Sequence, residues 1–221
     1  MLTSRFFVND DEKINNMDGF EIPSEWWSRP YEYLWVSKFL NKDDVIIDAG
    51  CGTNHPFKDY ASKRVSKCFA IDINPEINSF TNSGTLEHVY LGLTELDQKF
   101  KPDSIDKIFC ISVLEHMYQQ SIIDTLKQFK KVLKPDGKII LTIDHPMLGT
   151  DTFINLVDEV GLMFDGNVDF EIKKDVIKGN YANLKCYRAV LCKPIESKIE
   201  CEEIKPFQPS ETKPLKPKKT K

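Results

Sequence analysis

Five short apolar runs punctuate the middle of the chain, at 44–49 (DVIIDA), 67–72 (KCFAID), 87–91 (EHVYL), 106–112 (DKIFCIS) and 138–144 (KIILTID). Each is rich in β-branched residues and nearly unbroken in apolar character, the pattern of strands buried on both faces of a parallel sheet. Ahead of the last run, Ile122, Leu126, Phe129 and Leu133 recur at helical spacing, which predicts an amphipathic helix ended by the turn Pro135-Asp136-Gly137. A second helix is expected after Pro30, since proline suits a first helical turn, and a third over 152–162. Two further apolar runs, 167–172 and 186–192, lie close enough in sequence to pair as an antiparallel hairpin. Strands alternating with helices predict an α/β protein: a three-layer α/β/α sandwich around a mostly parallel seven-stranded sheet, with that hairpin at its edge.

The flanks are different in kind. Residues 1–24 are polar and mixed, and read as loosely ordered; 25–42 carry Trp26, Trp27, Tyr31, Tyr33, Trp35 and Phe39. From Pro194 the chain turns Glu-rich and then Lys/Pro-rich, a composition that cannot bury enough apolar surface to fold. The expected organisation is therefore an N-terminal arm or lid (1–29), one folded domain (30–193) and a disordered tail (194–221). The net charge of −4 conceals an imbalance: residues 205–221 hold six Lys against Glu211, a local +5, which leaves −9 on residues 1–204. A body that acidic argues against a nucleic-acid partner, whose binding rests on basic contacts to phosphate. The six cysteines are scattered without a Cys-x-x-Cys pair, so reduced thiols are expected and no metal site. No apolar run approaches the roughly 20 residues of a membrane span, and no secretory signal is evident, so a cytoplasmic protein is expected.

The chemistry concentrates at Val45-Ile46-Ile47-Asp48-Ala49-Gly50-Cys51-Gly52-Thr53-Asn54. A strand runs into a glycine-bearing turn, where missing side chains let a ligand approach the backbone. Twenty residues beyond Gly52, at the end of the next strand, stands Asp72, an acid placed to accept two hydrogen bonds from a ribose diol. Together they point to an adenosine-containing ligand over the carboxyl ends of the first two parallel strands. A nicotinamide loop wants a third glycine where this chain has His55, so that pattern fails.

Asp-x-Gly-x-Gly with the acid at the strand end resembles the first motif of class I S-adenosylmethionine-dependent methyltransferases. The likeness continues through Ala70-Ile71-Asp72-Ile73, Ser104 to Phe109, Ser112-Val113-Leu114-Glu115-His116 and Val132-Leu133-Lys134-Pro135-Asp136-Gly137, in the order of the small-molecule, type 11-like branch. The resemblance implies a Rossmann-like fold and S-adenosyl-L-methionine as cofactor. Gly50, Cys51 and Gly52 would pass its methionine part, Asp48 would sit near its cationic end, and Asp72 would bind the ribose. Ile73 would pack on adenine, while Ile111 and Ser112 would line the methyl-donor pocket. Asn54 replaces a frequent third glycine. Leu93 stands where many relatives carry an acid for the adenine amino group, which leaves backbone groups, Thr94 or Glu95 for that task.

His145, at the end of the fifth strand, is the candidate general base for a substrate hydroxyl. Glu25 to Trp35 is read as a lid that excludes water, with Arg29 and Tyr31 as candidates for the donor's carboxylate. His55 and His88 read as ordinary loop or surface residues. The expected activity is methyl transfer to an oxygen, nitrogen or carbon of a small molecule, without nucleic acid or membrane as partner. The alternatives are a cofactor-binding module without turnover, a nucleic-acid methyltransferase, or an NAD-dependent oxidoreductase.

Overall fold

The structure, a computed structural model, describes residues 3–180 and 183–194. The expected tail, apart from its first residue, lies outside the described residues. In chain order the elements are β1 (Thr3–Phe6), β2 (Asn16–Met17), β3 (Phe20–Glu21), α1 (Arg29–Ser37), β4 (Val45–Ala49), α2 (Phe57–Ser62), β5 (Lys67–Asp72), β6 (Leu86–Tyr90), β7 (Ile105–Ile111), α3 (Gln119–Val132), β8 (Leu133–His145), α4 (Thr150–Val160), β9 (Met163–Phe164), β10 (Asn167–Val168) and β11 (Lys185–Cys192).

The five central runs form the parallel half of the sheet in the order β6-β5-β4-β7-β8. From β4 the chain winds first toward β5 and β6, then returns to place β7 on the other side. That reversal is a topological switch point, and open α/β sheets bind ligands in the crevice it creates at the carboxyl ends of the strands. On the far side β11 runs antiparallel to β8. The two faces are covered separately. Tyr33 and Trp35 of α1 and Phe57 of α2 pack on Ile46, Phe109, Ile140 and Val190. Leu126 and Phe129 of α3, with Phe153 and Val157 of α4, pack on Ile47, Ile108, Ile139 and Leu141. Even-numbered side chains of β8 therefore face α1 and odd-numbered ones face α3 and α4, as the pleat requires.

Four expectations are corrected. The sheet has nine strands among the described residues, because β1 pairs antiparallel with β11 and carries β10 parallel on its outer edge. The runs 167–172 and 186–192 consequently form no hairpin with each other: the N-terminal strand lies between β10 and β11, and β9 shares with β1 the edge of β11 that faces away from β8. Nor are residues 3–24 loosely ordered. Phe6, Phe7, Met17 and Ile22 are buried, and Arg5 forks onto Asp11 at 2.8 and 2.5 Å. Finally, Pro135-Asp136-Gly137 is a bulge inside β8, where register shifts between Ile105 and Lys107, and α3 ends at Val132. Among the described residues no helix is long and apolar enough to cross a membrane.

Candidate functional site

The switch point is built on the turn after β4. Gly50 and Gly52 adopt φ of +70° and +59°, a region that side-chain-bearing residues avoid. Space demands glycine too: a Cβ at Gly50 would lie 2.6 Å from Val113 Cγ2, and one at Gly52 would lie 2.5 Å from His55 Cδ2. The backbone N–H groups of Gly50 and Cys51 both donate to the Ile71 carbonyl, at 2.9 and 3.0 Å. Asp72 ties the turn to β5, accepting from Gly52 N at 2.8 Å and from Asn74 N at 2.8 Å. Beneath it the buried ammonium of Lys58 donates to the carbonyls of Gly52 and His55, at 2.9 and 2.6 Å. The turn is thus pre-shaped by its own chain.

Asp48 closes the strand just before the turn. It is buried, and its Oδ2 has no hydrogen-bond partner among the described residues. Burial pushes its carboxyl up to about 7; Asp72 adds to the rise, while Lys58 and Arg29 oppose it. A carboxyl raised from 3.8 stabilises the fold fully below that value and loses the contribution as pH climbs through about 7. Asp48→Asn should therefore leave melting near pH 4 little changed but stabilise the free protein at pH 8, by on the order of 2–4 kcal/mol. Thermal melts at the two pH values check this; a variant no more stable than the parent at pH 8 would mean that the charge is well solvated.

Across the cavity α1 supplies a buried ion pair. Arg29 donates to Glu32 at 2.6 Å, and Glu32 Oε1 also accepts from Ser112 Oγ at 2.7 Å and Thr142 Oγ1 at 2.5 Å. Burial opposes the Glu32 charge, but Arg29 and the two hydroxyls outweigh it and hold the carboxyl below its ordinary value. Arg29 is likewise held charged: Glu32 and Tyr33 overcome the cost of burying it. Ser112, at the tip of β7, takes a left-handed φ of +48°, fixed by donation of its N–H to the Thr142 carbonyl at 3.1 Å. An ordinary side chain held there stores strain, which concentrates at functional positions.

These groups enclose a cavity of about 90 Å3, lined by Arg29, Tyr33, Asp48, Gly50, Gly52 and Ser112 among others. A second chamber of about 220 Å3 lies toward β8, between Trp26, Trp27, Ser112 and Asp144. A third, of about 570 Å3, opens along Phe20, Trp26 and Tyr60. His55 lines all three. Its ring lies 4.6 Å from the Trp26 ring, and its Nδ1 meets Tyr33 Oη at 2.9 Å. Burial, with Arg29 and Lys58 nearby, lowers its pKa to about 4, so the imidazole is neutral at pH 7.

The structure gathers Asp48, Gly50, Cys51, Gly52, Ile111, Ser112 and Arg29 around the first cavity, with Asp72 one hydrogen bond behind. Ile73 stands outside it, 70% exposed past the end of β5. Leu93 turns into the core, whereas Thr94 and Glu95 are exposed. Two candidates are displaced. Tyr31 packs on Phe7 with ring centres 6.2 Å apart, and it is Tyr33, two residues on, that faces the cavity. His145 has odd parity on β8, so its ring meets Phe6 at 5.7 Å on the opposite face of the sheet, while Asp144 faces the chamber. Sequence reasoning missed Glu32, Thr142, Asp144 and Lys58, and dismissed His55. Only the parity of β8 and the helical spacing from Arg29 to Tyr33 carried a signal for them.

The methyltransferase domain family matches residues 47–141. Among curated proteins, the ribosomal protein L11 methyltransferase of Acinetobacter baumannii (strain AYE) is 30% identical over 113 residues, covering 48% of this chain and 36% of that protein. The tRNA U34 carboxymethyltransferase of Helicobacter pylori (strain HPAG1) is 27% identical over 138 residues, covering 58% and 52%. The chain thus spans between a third and about half the length of these relatives. Among solved structures, the Burkholderia thailandensis 1,6-didemethyltoxoflavin-N1-methyltransferase, crystallised with 1,6-didemethyltoxoflavin and S-adenosylhomocysteine, superposes with a TM-score of 0.58 at 16% identity. That alignment covers 77% of this chain and 80% of the other, a likeness of fold.

Proposed function

We propose that the chain, whose residues 47–141 match the methyltransferase domain family, is a class I S-adenosylmethionine-dependent methyltransferase that transfers a methyl group from S-adenosylmethionine to a small-molecule acceptor in the cytoplasm. The observation that carries this reading is the opposed pair at the glycine turn. Asp48 offers a buried oxygen without a donor, and Arg29 on the facing wall offers a guanidinium. An amino acid's ammonium and carboxylate ask for that pair of partners. The other residues fit the rest of such a cofactor: Asp72 retains acceptor capacity for a ribose diol beyond its two backbone donors, and Ile73 presents a bare apolar surface for a base. When bound, the sulfonium supplies an already activated methyl group. The chain's own work is to orient donor and acceptor and to exclude water, a task for the rings of Tyr33 and His55 that line the cavity.

A cavity of about 90 Å3 is well below the roughly 300 Å3 at which small-ligand pockets begin. Binding therefore requires His55 and Val113, whose side chains lie against the glycine turn, to swing aside. A macromolecular acceptor, as in the names of the two curated relatives, is the second reading; the −9 carried by residues 1–204 weighs against RNA.

Calorimetry with S-adenosylhomocysteine and NAD tests the reading. The sulfur ligand should bind and NAD should not. Asp72→Ala should weaken binding by about 1.5–3 kcal/mol, the loss expected for hydrogen bonds to a charged group. No heat with S-adenosylhomocysteine, or an unchanged affinity in the variant, would overturn it.

A further inference from the structure

The second chamber has a lining the donor does not need. Its charged groups are mostly acidic: Asp144 from β8 and Glu25 from the segment before α1, while the charge of Arg29 is matched by Glu32. Asp144 Oδ1 is buried and has no hydrogen-bond partner among the described residues. Behind it Glu115, only 7% exposed, accepts the Asp144 N–H at 3.1 Å and likewise keeps a buried, unpartnered Oε2. Buried acceptors without donors cost free energy, and they recover it when a donor arrives. The electrostatics agree. Burial pushes Glu115 up to about 8 and Asp144 to about 7, with Glu32 adding to both and Arg29 opposing. Trp26 and Trp27 line the same chamber, and aromatic faces attract cations.

We infer that this chamber holds the methyl acceptor and that the acceptor is an aliphatic amine, its ammonium end bound by Asp144 and Glu25 and its hydrocarbon laid on Trp26 and Trp27. The inference rests on the donor lying over the glycine turn, since Ser112 and His55 wall both that cavity and this chamber. The volume, about 220 Å3, is some seven times a water molecule's share of the liquid, which suits a small amine. An ammonium has no lone pair to react with. Asp144 accepts one of its protons, leaving a neutral amine and a neutral carboxyl, a task matched to a carboxyl raised by burial. The nitrogen pair then forms the bond to the methyl carbon while the sulfur–carbon bond breaks and its electrons remain on sulfur.

The test titrates the full chain with three probes of similar shape: 2-phenylethylamine, 2-phenylethanol and 3-phenylpropionate. Binding is read by calorimetry and by tryptophan fluorescence, with and without S-adenosylhomocysteine. The amine should bind at least about tenfold more tightly than the alcohol, and the carboxylate least. Asp144→Asn should erase most of that preference. Glu25→Gln, at an exposed position where folding is not at stake, should reduce it about threefold. Equal affinity for amine and alcohol, preference for the carboxylate, or a preference unchanged in both variants would overturn the inference. Failure of S-adenosylhomocysteine to bind would instead overturn the donor reading, and the amine preference measured without it still judges the chamber.

Discussion

A chain lacking residues 1–35 should not fold. The aromatic-rich start suggests an arm over a finished domain, and an arm could be removed without harm. In the structure the segment is part of the sheet and of the core. β1 covers part of the edge of β11 through Arg5–Arg188 and Phe6–Tyr187. Phe6, Phe7, Met17, Ile22, Tyr31, Tyr33 and Trp35 are all buried. At about 1.5–3 kcal/mol for each large apolar side chain, their loss matches or exceeds the 5–15 kcal/mol by which domains are typically stable. The truncated protein should therefore be insoluble, or show no cooperative melt by circular dichroism. A sharp thermal transition in the 36–221 fragment would restore the segment to the status of a detachable lid.

Glu32→Ala should cost about 3–5 kcal/mol, the range for breaking a buried pair by removing one partner. The reason lies less in the lost attraction than in what stays behind. Arg29, 17% exposed at its side chain, would keep a charge with no counter-ion, and Ser112 and Thr142 would lose their shared acceptor. For a chain of this size the loss corresponds to a fall in melting temperature on the order of 10 °C. Because Glu32 is held below its ordinary 4.5, the pair's contribution persists above that pH and is lost as pH falls below it, so the gap between parent and variant should narrow in acid. Thermal melts at pH 7 and pH 4 check both statements. A variant melting within about 2 °C of the parent at pH 7 would show that water already screens the pair. The same geometry bears on Arg29→Lys: a lysine loses the planar guanidinium whose Nη1 donates to Glu32, so the substitution should lower stability without ligand as well as donor binding.

The local code of this chain carried the sandwich and its glycine turn. The runs at 44–49, 67–72, 106–112 and 138–144 are nearly unbroken in apolar character, and such runs have few ways to be buried other than in a parallel sheet. That Gly50, Gly52 and Asp72 meet at one turn is legible in their spacing, because the turn's backbone conformation is set locally. Tertiary packing decided the remainder. Whether Thr3–Phe6 forms an arm or a strand depends on the open edge of β11, nearly two hundred residues away. That Glu32 is a buried counter-ion depends on Ser112 and Thr142, eighty and 110 residues distant. His145 lies against Phe6 and Asp144 lines the chamber because the pleat sends neighbouring side chains to opposite faces of the sheet. His55, with no partner pattern in its own neighbourhood, acquires a place in the site only when Tyr33 and Trp26 are folded over it. Contacts within a turn or a strand can be read from short-range pattern, but the pairing of charges across layers forms only once the layers meet.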